Sequence, residues 1–142
     1  MVEVKIEERL PEFPREFWGE IVNVSVYSGG RFAGRESIDI AVRADKPAYR
    51  NLQHIFLPYE GVEFSNDGKE IRLNPLTYSG LFYKRLLELG WKPKGNPKNH
   101  LELARELIGL KARFKRVDLK TIDPRMRTRS EKWLVEELGE PR

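Results

Sequence analysis

The sequence predicts a mainly β domain that also contains helices, an α+β fold, and three observations lead to this prediction. Apolar and polar residues alternate in residues 17–27, 37–43 and 111–115, as in strands with one buried face. Between residues 76 and 108 the apolar residues instead repeat at helical spacing. Clusters of glycine, proline, asparagine and aspartate separate these stretches, which is typical of turns.

The composition indicates one globular domain in a reducing compartment. A chain of 142 residues with 39% apolar content is close to the usual size of a domain. The sequence has no cysteine, which excludes disulfides and thiolate metal sites. We find neither a signal-peptide pattern nor the ~20-residue apolar run that crosses a bilayer, so we expect a cytoplasmic protein that does not contact a membrane. The charged content of 34% is typical of thermophile proteins.

Two predicted strands form a hairpin after a loosely attached arm at residues 1–15. The first strand covers residues 17–27 and the second residues 37–43. The loop between them, residues 28–35, is rich in glycine and carries two arginines and one phenylalanine. Alternation places one set of side chains of the first strand on an apolar face: Val22, Val24 and Val26. It places the other set on a polar face: Asn23, Ser25 and Tyr27.

A third strand is predicted at residues 53–57, ending before Pro58. Beyond it, Asn-Asp-Gly-Lys at residues 66–69 predicts a tight turn, because these residue types tolerate positive φ. This turn joins residues 62–64 to residues 71–73 in a small extra hairpin.

Two helices are predicted after this hairpin. Asn74 is expected to cap the first helix, with Pro75 at its first position and Gly90 just beyond its end. Asn99 is expected to cap the second helix, because a glutamate follows three positions later. We expect this second helix to run to Gly109.

The last part of the chain is a basic strand, a loop and a final strand. The alternation over residues 111–119 changes parity near Arg116–Val117, which predicts a bulge there. The loop at residues 121–130 is rich in arginine, and the final strand is predicted at residues 131–135.

Residues 111–132, hereafter the basic segment, carry the surplus positive charge. They contain nine basic and three acidic residues, a net charge of +6, whereas residues 1–110 are neutral and the whole chain carries +4. A surplus confined to one short stretch is the pattern of a surface that binds phosphates, and the alternative is a solvated, highly charged strand pair that binds nothing.

The order of elements matches that of an oligonucleotide/oligosaccharide-binding (OB) barrel. At residues 106–114, ELIGLKARF, a helix ending in Leu-Ile-Gly runs directly into a basic strand. This resembles the entry to the fourth strand in small phage and archaeal single-stranded-DNA-binding proteins of that fold. The resemblance implies a five-stranded OB-like barrel over residues 16–138 of a single domain, 1–142, with the two helices inserted between strands three and four. The extra hairpin, the second helix and the short acidic tail are differences from that family.

In such barrels the ligand crosses strands two and three between two loops, which here would be residues 28–35 and 121–130. The resemblance therefore implies a non-catalytic protein, without a cofactor, that binds single-stranded nucleic acid and prefers DNA to RNA. Arginines would follow the phosphates and aromatic rings would stack on the bases. The residues expected to contact the ligand are Tyr27, Arg31, Phe32, Arg35, Arg113, Lys115, Arg125, Arg127 and Arg129.

Tyr49 and Trp133 are further candidates for stacking, although Trp133 alternates with Val135 and is expected mainly in the core. The aromatic residues assigned to the core outright are Trp18, Phe82 and Phe114. Of the two histidines, His54 lies within an apolar strand and is expected in the interior. His100, near a helix start, is expected to be exposed.

Two other functions remain open from the sequence. A protein adaptor would dock its basic loop on an acidic partner and expose an apolar patch around Leu81, Phe82 and Trp91. A small nuclease would gather carboxylates around metal ions. The carboxylates available for this are Asp39, Asp45, Glu60 and Asp67, and no motif unites them. A homo-oligomer or a protein partner is compatible with either function.

Overall fold

One five-stranded antiparallel sheet organises the chain. The computed structural model describes residues 2–5, 14–28, 36–46, 52–128 and 130–141. The elements are β1 (Glu16–Ser28), β2 (Glu36–Ala44), β3 (Gln53–Pro58), β4 (Val62–Phe64), β5 (Ile71–Leu73), α1 (Tyr78–Glu88), α2 (His100–Arg105), β6 (Lys111–Asp118) and β7 (Glu131–Leu138). The sheet order is β3-β2-β1-β6-β7, and β4 pairs with β5 in a separate hairpin. The prediction of a mainly β protein with two helices is confirmed. In the described part of the chain, no helix is long and apolar enough to cross a membrane.

The central strand β1 contains a bulge that changes which of its residues face the core. Ile21 pairs with Val42 and Asn23 pairs with Ala41, so Val22 is an extra residue without its own partner. The predicted apolar face is confirmed for Val24, which is buried. Val26 pairs with the buried Ile38 and lies on the same face, although it is 39% exposed. Val22, at the bulge, is half-buried and does not continue this face. Beyond the bulge, the outward-facing residues of β1 include Tyr27.

The predicted bulge at Arg116–Val117 is also wrong, because these residues pair regularly with Trp133 and Lys132. The register of this strand pair shifts instead between Arg113 and Phe114, where β7 carries the extra residue. Leu119 changes parity for a different reason. A single 3₁₀ turn, Leu119–Thr121, follows β6 and turns the Leu119 side chain into the core.

Both helices begin at polar caps. Thr77 caps α1, accepting a hydrogen bond of 3.1 Å from the Gly80 amide. Asn74 was expected in this role, but it caps the preceding turn through the Leu76 amide. Asn99 caps α2 as predicted, accepting from the Glu102 amide at 2.9 Å. This helix ends at Arg105, earlier than predicted, and a turn continues the chain to Gly109.

The first turn of α1 joins the two edge strands of the sheet. The Tyr78 hydroxyl donates a hydrogen bond of 2.6 Å to the Trp133 carbonyl in β7. The Ser79 hydroxyl donates one to the Pro58 carbonyl at the end of β3. Both side chains are buried, and burial raises the pKa of the Tyr78 hydroxyl, so it remains a hydrogen-bond donor. The helix therefore holds β3 and β7 in a fixed relation to each other.

The aromatic core largely follows the prediction. Phe82 and Phe114 are fully buried, and Phe17 stacks on Phe114 with ring centroids 5.4 Å apart. Trp133 packs edge-on against Phe17 at 5.1 Å and is partly buried against the core. Trp18 was assigned to the core, but it pairs with Arg113 on the outward face, under that guanidinium.

Both predictions for the histidines are wrong. His54 was expected inside, but its side chain is 45% exposed on β3. His100 was expected outside, but it is 3% exposed at the start of α2. Its Nε2 atom lies 2.9 Å from the hydroxyl of Tyr83, and its ring packs edge-on against Tyr59. Burial lowers the pKa of His100 to about 4, and the backbone of Tyr59 offsets only part of this effect.

This burial predicts a loss of stability on acidification. The pKa of His100 is about 4 when folded and about 6.5 when unfolded. Between these values the unfolded state binds a proton that the folded state does not, so the free energy of unfolding falls as pH falls. By linkage the decrease from pH 7 to pH 4.5 is roughly 2–3 kcal/mol, measurable by urea unfolding at both values. His100→Gln is the control, because it lacks the titrating group. An equal decrease in this variant would contradict the assignment.

Candidate functional site

An exposed row of aromatic side chains crosses the outward face of β1, β2 and β3. The Tyr27 and Phe56 rings lie 5.2 Å apart, and the Phe56 and His54 rings are nearly parallel at 6.1 Å. Tyr27 is 46% exposed and Phe56 is 45% exposed. We call Tyr27, Phe56 and His54 the aromatic row. It places two unusually exposed aromatic rings and an imidazole side by side.

The alternation and pairing of β1, β2 and β3 explain why the three rings of the row share the outward face of the sheet. Within β3, Ile55 and Leu57 are buried in the core, so His54 and Phe56 point to the opposite face. The register aligns Ser25 with Asp39 and Asp39 with Phe56, while Tyr27 lies one outward-facing position further along β1. Tyr27 therefore reaches Phe56 diagonally across β2, a distance that aromatic side chains span readily.

Asp39 fixes the last ring of the row. Its Oδ1 atom lies 2.8 Å from Nδ1 of His54, and its carboxylate is mostly shielded. A carboxylate partner at Nδ1 sets the orientation of the imidazole ring. The ring is therefore held parallel to Phe56, with its face available next to the exposed phenyl ring.

A slot of about 190 Å³ continues from the row. It lies between the two edges of the sheet and is lined by residues 54–56 of β3, residues 131–133 of β7, Arg116 and Tyr78. The guanidinium of Arg116 lies 6.0 Å from the centre of the Trp133 ring, and the Lys132 ammonium lies 5.8 Å from that of Tyr78. Residues on both edges thus border one space that is aromatic and cationic.

Of the four described arginines in the basic segment, three form ion pairs within the fold. Its ion pairs are Lys111–Glu140, Arg113–Glu16, Arg113–Glu137, Arg116–Glu131 and Arg125–Asp123. The hydrogen bonds from Arg125 lower the pKa of Asp123 to about 2. The basic residues of the segment that form no ion pair with any described residue are Lys115, Lys120, Arg127 and Lys132.

The arginine-rich loop has a structural anchor that the sequence did not predict. Met126 is 2% exposed and fastens the loop to the core. Arg127 lines a cavity of about 470 Å³ together with Arg72, Glu60 and Glu63. Two carboxylates offset the two guanidinium groups there, so this cavity is not the purely cationic surface expected of the loop.

The structure separates the predicted site residues into three groups. Tyr27 lies in the aromatic row. Arg113 and Lys115 pair with Trp18 and Glu16 near the start of β1, a strand length of about 30 Å from Tyr27 at ~3.3 Å per residue. Arg125 and Arg127 lie in the loop before β7. The remaining predicted residues fall outside the described ranges: Arg31, Phe32, Arg35 and Arg129, and also Tyr49.

The sequence did not predict Phe56, His54, Arg116 or Lys132 as site residues, whereas Trp133 of the slot was already a candidate for stacking. The signal for the first two is the alternation in Gln-His-Ile-Phe-Leu-Pro, which places His54 and Phe56 on one face and Ile55 and Leu57 on the other. This segment was interpreted as an apolar strand without separating its faces. The slot had no such signal, because its two sides come from strands about 75 residues apart that stand at opposite ends of the sheet order. They approach each other where the first turn of α1 is hydrogen-bonded to both.

The carboxylates considered for a nuclease have separate surroundings. The Asp39 carboxylate is hydrogen-bonded to His54. In the β4–β5 turn, the Asp67 carboxylate accepts hydrogen bonds from the Ser65 hydroxyl and the Lys69 amide. Glu60 lines the larger cavity. Across the ranges that the structure describes, no three or more histidine, aspartate or glutamate residues are grouped so that they could hold a metal ion. No protein-family model matches the chain, and no curated protein matches its sequence.

Proposed function

We propose that this protein binds single-stranded nucleic acid, preferring DNA to RNA, on the outward face of β1, β2 and β3. The observation that carries the proposal is the exposed aromatic row. Single-strand binding requires flat side chains on which successive bases stack, and rings 5–6 Å apart on a rigid sheet suit that purpose. The protein acts as a binding module without catalytic chemistry.

The strand order supports an OB-like barrel as the framework. Apart from the β4–β5 hairpin, the principal strands follow the order three-two-one-four-five, and α1 is bonded to both edge strands. We propose that the sheet curls until β3 approaches β7, as in a partly open barrel. The aromatic row then lies on strands one to three, where such barrels bind oligonucleotides.

The positive charge supports the same face. Arg116 and Lys132 lie in the slot that adjoins the row, and they follow the backbone phosphates in this proposal. Arg31 and Arg35, which follow β1 in the sequence and lie outside the described residues, stay proposed phosphate contacts. Arg113 and Arg125 are removed from the proposed contacts, since each is hydrogen-bonded to a carboxylate. Arg116 is kept, because its Nε atom lies 3.6 Å from the Glu131 carboxylate, beyond hydrogen-bond distance.

Binding of a labelled oligothymidylate of about 12 nucleotides tests the proposal by fluorescence anisotropy. If about four phosphates are neutralised, the logarithm of the binding constant should fall with the logarithm of salt concentration with a slope of about −3. The titration is repeated with a matched oligouridylate and with duplex DNA of the same length. We expect the single strands to bind more tightly than the duplex, and the DNA strand more tightly than the RNA strand.

The absence of binding at about 50 mM salt would contradict the proposal. An adaptor function would then be favoured, although the apolar patch expected for it is not present where it was predicted. Leu81 is 4% exposed and Phe82 is fully buried, so neither offers a docking surface.

A further inference from the structure

We propose that the slot between β3 and β7 takes one nucleotide of the bound strand, with the base inside the slot and its phosphate at Lys132 and Arg116. This inference rests on the proposed function and extends the binding surface beyond the sheet face. It assigns a specific nucleotide position to residues that lie on β6 and β7, outside the aromatic row.

The size of the slot suits one base. Its volume of about 190 Å³ is below the ~300–1,000 Å³ of pockets that hold drug-sized ligands. A single flat ring system can fill such a space, whereas a larger ligand or a folded peptide segment cannot. The slot is therefore matched to one base rather than to several stacked bases.

The slot is continuous with the aromatic row, because His54 and Phe56 belong to both. A strand whose bases stack on Tyr27, Phe56 and His54 arrives at the edge of β3, where the slot begins. Because β3 pairs with a described strand on one side only, its other edge presents backbone amides and carbonyls, the groups that recognise base edges.

The charges at the slot fit a nucleotide better than an uncharged base. The Glu131 carboxylate accepts a hydrogen bond from Arg15, and its Oε2 atom lies 3.6 Å from Nε of Arg116. These contacts lower the pKa of the Glu131 carboxyl group. Lys132 has no carboxylate partner among the described residues, so the slot retains a positive charge for a phosphate. The guanidinium of Arg116 lies over the Trp133 ring, and a planar guanidinium can also stack on a base.

Amide NMR spectra of the ¹⁵N-labelled full chain test the slot directly. The probes are thymidine 5′-monophosphate and an oligothymidylate of about six nucleotides. We expect both probes to shift the signals of residues 54–56 and of residues 132–133 together, since one ligand contacts both walls. Thymidine without phosphate should shift the same signals at roughly tenfold higher concentration, because it lacks the charged contact.

The matched variants are Lys132→Ala in the slot and Lys120→Ala outside it. Both lysines belong to the basic segment and neither has an ion-pair partner among the described residues. We expect Lys132→Ala to weaken oligothymidylate binding about tenfold and to reduce the salt slope by about 0.7. Lys120→Ala should change affinity less than about twofold.

The outcomes separate this inference from the proposed function. If the oligothymidylate binds and shifts only the row residues on β1 and β3, the slot assignment is wrong and the proposed function stands. Equal effects of the two lysine variants would also overturn the slot, because they would indicate charge attraction without a defined contact. If no oligonucleotide binds in the anisotropy experiment, the proposed function fails and the slot assignment fails with it.

Discussion

Replacing Gly80 with alanine is expected to lower the free energy of unfolding by more than about 3 kcal/mol, the upper range for overpacking a core. A β-carbon at this position would lie 1.9 Å from the carbonyl oxygen and 2.5 Å from the carbonyl carbon of Asn74. Backbone atoms cannot move aside as a flexible side chain can. The helix would have to shift as a whole, or its first turn would have to open.

The cost extends beyond the clash, because the same turn makes several hydrogen bonds. The Asn74 carbonyl accepts hydrogen bonds from the amide and hydroxyl of Thr77, which in turn caps Gly80. The neighbouring hydroxyls of Tyr78 and Ser79 donate hydrogen bonds to β7 and β3, the two edge strands of the sheet. A displaced α1 therefore also loosens β3 and β7, which border the slot.

Thermal and urea unfolding of Gly80→Ala and Gly95→Ala would measure this effect. Gly95 is the control because a β-carbon there would meet only the Glu106 carboxylate, at an ordinary contact distance of 3.6 Å. The hydrogen bond that the Gly95 backbone amide donates to the Glu106 carboxylate would also form with alanine at this position. We expect Gly95→Ala to stay within about 1 kcal/mol of the wild type. Similar stabilities for the two variants would show that the α1 turn adapts.

The residue pattern predicted the strands more reliably than it predicted which face of each strand is buried. Turn and cap signals located the β4–β5 hairpin and the start of α2 at Asn99, because these features depend on neighbouring residues. The face of β1 depends on the bulge at Val22, which arises from pairing with β2. A bulge of one residue reverses the alternation of faces, so Phe17 and Ile21 are buried before it and Val24 after it. The regular alternation assumed from the sequence cannot describe both halves of the strand.

Charge counting could not show which basic residues are ion-paired, because pairing also depends on contacts between distant strands. The partners of Arg113 are Glu16 and Glu137, residues of two other strands that the sheet brings beside it. A local surplus of +6 therefore overstates the positive charge that is left without a carboxylate partner. Conversely, β3 has no charge surplus or motif in the sequence, yet its His54 and Phe56 lie in both the aromatic row and the slot. Burial of Ile55 and Leu57 requires their neighbours to face outward.

Replacing Phe56 with alanine is expected to weaken single-stranded DNA binding roughly 10- to 100-fold, as a lost base stack of about 1–3 kcal/mol implies. Phe56 is the middle ring of the row and contacts both Tyr27 and His54. Phe56 also borders the slot, so its removal affects both the aromatic row and the slot. Leu87→Ala is the control, because Leu87 is similarly exposed, at 42%, but lies on α1.

The measurement must separate affinity from stability, because a cross-strand aromatic pair can also support a sheet by roughly 0.2–1 kcal/mol. Phe56 is half exposed, so we expect its removal to change the free energy of unfolding by about 1 kcal/mol or less while affinity falls at least tenfold. Tyr27→Ala and the double variant complete a mutant cycle. If the two rings stack successive bases, their effects on binding are coupled, since the loss of one ring displaces the strand from the other. A row that served only to stabilise the sheet would show coupling in unfolding and none in binding.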